Sequence, residues 1–120
     1  MSSRPAPQVP YTALVGSIIR SHRERAGLQQ IDIASALGIM QPAYSRIEQG
    51  GTSITVAQLR VIARKLEIAP SQLLDEADSW TEHLRRQGVA VTDAKEVPKA
   101  ALALGLGMLA ALLIAAASGS

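Results

Sequence analysis

The chain of 120 residues has no cysteine and no phenylalanine. The first absence excludes a disulfide, a thiol nucleophile and any Cys-ligated zinc. The second leaves Trp80, Tyr11 and Tyr44 as the only aromatic residues, so a core must be built from aliphatic side chains. Histidine occurs twice, at His22 and His83, with no carboxylate cluster joining them, and no metal site is expected. No glycine-rich phosphate loop follows a strand pattern, and no Ser-His-Asp order stands out. No enzyme and no cofactor is expected. Charge of one sign is also lacking: 12 Lys and Arg stand against 10 Asp and Glu. A strongly basic nucleic-acid footprint is therefore absent. Residues 1–11 open on MSSRPAPQVP, which has three prolines and no periodicity. They read as a flexible arm. They do not read as a secretory signal, because no apolar region follows the charge.

What the chain does have is centred on Gln30–Gln49, QIDIASALGIMQPAYSRIEQ. Two short helical patterns meet at Gly38, which supplies the positive φ of a tight turn. Ile33, Leu37, Ile39, Tyr44 and Ile47 carry the apolar spacing, and Ala34 sits where the two helices would cross closely. Such a unit is either a helix-turn-helix, whose second helix can enter a major groove, or a plain helical corner. The flanks add three more helices. Leu14, Val15, Ile18, Ile19, His22 and Ala26 share one face, and Gly27 ends that helix. Thr55 is a candidate N-cap for a helix with the stripe Val56, Leu59, Ile62, Ala63 and Leu66. Pro70 opens a fifth, bearing Leu73 and Leu74 and continuing through Ala77, Trp80 and Leu84 to about Gln87, with Gly88 as the stop. The domain spans 12–87, and 88–99 reads as a linker.

The phrases IIRSHRERAGLQQIDIASALGI, SRIEQG and TVAQLRVIARKLEIAPSQLL resemble the Cro/C1-type helix-turn-helix family of phage and bacterial regulators. The resemblance covers about half the chain. It implies an all-α, five-helix domain that binds double-stranded DNA as an oligomer, most often as a repressor. It also implies roles by position. Gln30 would contact a phosphate and brace Gln41, the first residue of the recognition helix. Gln41, Pro42, Ala43, Ser45 and Arg46 would form the exposed face of that helix. Gln suits adenine and Arg suits guanine, because each offers a two-point fork to a base edge. Arg23 and Glu48 would form a structural ion pair. Three features depart from the pattern. Met40 replaces the usual Ser or Thr cap, at a cost of roughly 1 kcal/mol. Pro42 stands in the first turn, where it is tolerated. The loop Gly50–Ser53 has no Lys or Arg, so backbone amides, such as that of Thr52, would have to meet phosphate.

Two further surfaces stay open in sequence. Trp80 and Leu84 either fold back on the core or make a dimer contact. Residues 100–117 hold no polar side chain, and Lys95 and Lys99 precede them. As a helix this run would be ~27 Å long, near the hydrocarbon thickness of a bilayer. Ala103, Gly107, Ala111 and Ala115 form a small-xxx-small face, while Leu102, Leu106, Leu109 and Leu113 form a coiled-coil spacing. The segment is a transmembrane anchor or an oligomerisation helix. The anchor reading tethers a cytoplasmic domain to the inner membrane, with the lysines inside. Besides a DNA-binding regulator, the chain could be a membrane-anchored protein-binding adaptor with a cytoskeletal or assembly role, or an antitoxin-type autorepressor.

Overall fold

A computed structural model describes residues 7–93. The expectations for residues 94–120, including Ala103, Gly107, Ala111 and Ala115, lie outside the described residues. The elements run β1 (Gln8–Pro10), α1 (Tyr11–Arg25), α2 (Gln30–Leu37), α3 (Gln41–Gln49), α4 (Val56–Leu66), α5 (Pro70–Arg86) and β2 (Ala90–Thr92). The five helices stand where their apolar spacing puts them. The described residues are mostly helical, as expected, and two three-residue strands add to the five helices. The strands pair in parallel, with Gln8 opposite Ala90, Val9 opposite Val91 and Pro10 opposite Thr92. The expected arm over 1–11 and linker over 88–99 therefore hold structured pieces. Residues 8–10 and 90–92 are in the sheet, and Tyr11 begins α1. Burial of Val9 and Val89 explains why both segments are held against the domain.

The helices start by different means. Thr55 caps α4 by accepting from the Gln58 N–H, while the Gln58 side chain accepts from the Thr55 N–H, both at 3.0 Å. This reciprocal pair satisfies two donors that the first turn leaves without partners. Asp32 accepts from the Gln29 N–H at 2.7 Å and places a negative charge at the positive end of α2. Pro70 opens α5, where a missing N–H costs nothing.

The helices end by one means. In each, the residue in the left-handed region and its successor both donate back into the last turn. Glycine holds the left-handed position at Gly27, Gly38, Gly50 and Gly88, and Glu67 holds it for α4 at φ 60°. The residues that follow are mostly apolar. Leu28, Ile39 and Ile68 pack against the core, and Val89 enters it.

The core is aliphatic around one tyrosine. Leu14, Ile18, Ile19, Ile33, Tyr44, Ile47, Ile62, Leu73 and Leu84 are fully buried. Some stripe residues fall outside it. Val56 is 86% exposed, and Ala26 and Leu74 are also exposed. Leu84 settles its alternative: at 2% exposure it belongs to the core and is no surface dimer contact. Trp80 is half-buried against the core and meets His83 edge to face, with ring centroids 5.2 Å apart.

α1 packs closely against the end of α3. A Cβ on Gly16 would fall on the carbonyl oxygens of Ile47 and Glu48, and one on Gly50 would fall on Ala13. Thr12 Oγ1 donates to the Gly50 carbonyl at 3.3 Å and closes the same crossing. This contact fixes where α3 sits. Two side-chain bonds then hold α5 across α1: Tyr11 to Asp78 at 2.8 Å, and His22 to Glu76 at 2.7 Å. Burial, followed by the bond to Asp78, pushes the Tyr11 hydroxyl up to about 12.

Candidate nucleic-acid interface

The turn between α2 and α3 is short: Gly38 caps the end of α2 at φ 69°, and Met40 is already the extended residue that precedes α3. Ile39 N–H donates to the Ala34 carbonyl and Gly38 N–H to that of Ser35, both at 3.1 Å. Ala34 and Ile33 are buried under α3. No side chain caps α3 at Met40, which is exposed, and Pro42 lies in its first turn.

The inner face of α3 is locked by one carboxylate. Glu48 is buried, and both its oxygens are used twice. Arg23 from α1 forms a two-point pair with it, Nε to Oε2 at 2.6 Å and Nη2 to Oε1 at 3.0 Å. Tyr44 donates its hydroxyl to Oε2, and Gln30 donates its amide to Oε1 at 3.0 Å. Arg23 spends its remaining Nη1 on the Leu28 carbonyl, also at 3.0 Å. Burial pushes the Glu48 carboxyl up, but the bonds from Arg23, Tyr44 and Gln30 outweigh it and hold it below its ordinary value. The bond to Glu48 raises the Arg23 guanidinium in turn. Burial first, then the bond to Glu48, pushes the Tyr44 hydroxyl far above its usual range. Both charges therefore persist at neutral pH, and no buried side-chain nitrogen or oxygen among the described residues lacks a partner.

The outer face of α3 is wet. Pro42, Arg46 and Gln49 are exposed, and Gln41, Ala43 and Ser45 are half-buried. Gln41 donates its amide to the Gln30 carbonyl oxygen, so Gln30 joins α3 at both of its ends. Thr52 is exposed in the loop after α3. The sequence reading missed Gln49. It bonds Ser45 at 3.3 Å and extends the exposed face by a turn. The spacing 42, 46, 49 carries that signal. Among the described residues no group of His, Asp and Glu is arranged to hold a metal.

A short second helix, held by a buried ion pair and showing a polar outer face beside a tight glycine turn, is a helix-turn-helix. Residues 19–73 match the family described as Helix-turn-helix. Over these residues the chain is similar to the Cro/C1-type helix-turn-helix family. No curated protein and no solved structure matches the chain. The family is one of DNA-binding regulators. In its terms α2 and α3 are the helix-turn-helix. The matched residues take in the second half of α1, all of α2, α3 and α4, and the first turn of α5; β1 and β2 lie outside them.

Proposed function

We propose that this protein is a sequence-specific transcriptional regulator that acts as an oligomeric repressor on double-stranded DNA. The observation that supports this most is the division of α3. Its inner face is immobilised through Glu48, and its outer face offers Gln41, Pro42, Ala43, Ser45 and Arg46 to solvent. A rigid helix with forked donors on one side is what base readout in a major groove requires. Gln30 keeps one amide hydrogen for a phosphate. The Thr52 segment contributes backbone amides. Selection from random duplexes at low salt tests the reading. Enrichment of a palindromic or repeated motif supports it, and enrichment of none removes it.

A second reading is favoured by the bare Gly50–Ser53 loop and the near balance of charge. In it, the same surface of a membrane-held adaptor binds protein. The run 100–117 supports a membrane tether or a self-associating helix through Ala103, Gly107, Ala111 and Ala115. Among the described residues no helix is long and apolar enough to cross a membrane, and the run lies outside them.

A further inference from the structure

Glu48 touches nothing outside the domain, yet it can dictate what the groove-facing surface offers. An ionised carboxylate only accepts hydrogen bonds. Four donors converge on Glu48, from Arg23 at two points, from Tyr44 and from Gln30. Gln30 must therefore turn its NH2 inward. Its carbonyl oxygen then faces Gln41, which can answer only with N–H. The direction of the whole relay follows: donors point toward the interior at each step. Gln41 is left with its carbonyl oxygen and one N–H. An acceptor beside a donor matches the N6–H2 and N7 edge of adenine. Guanine presents two acceptors, O6 and N7, and takes two donors, one of which Gln41 has already committed.

We propose that Glu48 is a positioning residue for DNA specificity, setting through Gln30 an acceptor-and-donor face at Gln41 that selects adenine. This rests on the DNA-reading function proposed above. Without the carboxylate, the two amides are free to reverse together. Gln41 would then accept from Gln30 and turn its two N–H groups outward, the pattern guanine takes.

The variant Arg23→Met with Glu48→Met removes the carboxylate and its partner together. Apolar side chains of similar volume often replace a buried ion pair without loss of fold. Gln30→Met breaks the relay in the middle and leaves the ion pair intact, so it serves even if the double variant unfolds. Each full-length protein, in detergent, is put through selection from random duplexes alongside Gln41→Ala and Arg46→Ala. The position that loses its preference in Gln41→Ala should show adenine in the unaltered protein. In the relay variants its adenine-over-guanine preference should fall by about tenfold. The position lost in Arg46→Ala should keep its preference. Weakening spread evenly over all positions, with adenine retained opposite Gln41, would overturn the positioning role and leave DNA reading in place. A position read by Gln41 that is not adenine overturns it too. A motif absent even from the unaltered protein removes the DNA reading, and this inference with it.

Discussion

Glu48 accepts hydrogen bonds from Arg23, Gln30 and Tyr44. It is bonded from α1, α2 and its own helix, so its loss strands Arg23 as a buried charge. Glu48→Ala should cost about 3–5 kcal/mol in urea unfolding. The exposed pair Arg20–Glu24 is the internal control, and Glu24→Ala should cost under about 1 kcal/mol. The pH dependence has a definite sign. The folded carboxyl lies below its unfolded value, so its contribution is complete above the ordinary carboxylate range near ~4.3. It is lost as pH falls through the depressed folded value. Urea midpoints taken on that acid limb should fall steeply, and Glu48→Gln should flatten the fall while lowering stability at neutral pH. At the outer face, Arg46→Ala should weaken specific DNA binding by about 1–3 kcal/mol and relax preference at one base pair. Binding equal to the unaltered protein on the selected duplex would remove Arg46 from the readout.

The elements obey local rules with one exception that is testable. Four helices turn out of their last residues through glycine, and α4 does so through Glu67. A side chain in the left-handed region costs roughly 1–2 kcal/mol in backbone strain. Glu67→Gly should raise stability by about 0.5–1 kcal/mol, the relieved strain being partly offset by a looser unfolded chain. A lower thermal midpoint for this variant would show that the Glu67 side chain contributes more than its backbone costs. Gly16 is the opposite case. Gly16→Ala would force α1 away from the carbonyls of Ile47 and Glu48 and should destabilise by about 1–3 kcal/mol. Helices of this kind are legible in the chain because Leu14, Ile18, Ile62 and Leu73 repeat at helical spacing. The strands were not. Each has three residues, too few to show a period, and β1 ends on Pro10 with Pro7 just before it. Only pairing between the two ends of the domain makes them strands.

For the molecule as a whole, two boundaries are open to experiment. Ending the chain after Gly88 removes Val89 and β2, and should cost about 2 kcal/mol relative to ending it after Asp93. Equal stability of the two would show that the strand pair does not hold the domain. The second boundary is the apolar run at 100–117. We expect the full chain to fractionate with membranes, and the chain ended after Asp93 to be folded and free of them. Leu at Gly107 and Ala111 should weaken self-association without preventing insertion, because bulk blocks close approach while adding apolar area. A full chain that stays in solution without detergent as a defined oligomer would replace the anchor with an assembly helix.

Five helices, most of the glycine turns that end them and the likeness to the family over residues 19–73 were determined by the sequence itself. Each depends on residues close together in the chain: an apolar period, a cap, a left-handed position. The pairing of Arg23 with Glu48 was accessible only through resemblance, and the fold shows why it holds: four donors meet one carboxylate from three helices. Tertiary structure alone decided the rest. It put Leu84 in the core and Val56 in solvent, although both stand on apolar stripes. It joined Gln8–Pro10 to Ala90–Thr92, and it turned the Gln30 amide inward. The reason is common to all of these. Burial, strand pairing and the direction of a hydrogen bond depend on which distant group stands opposite, and local spacing carries no record of that neighbour.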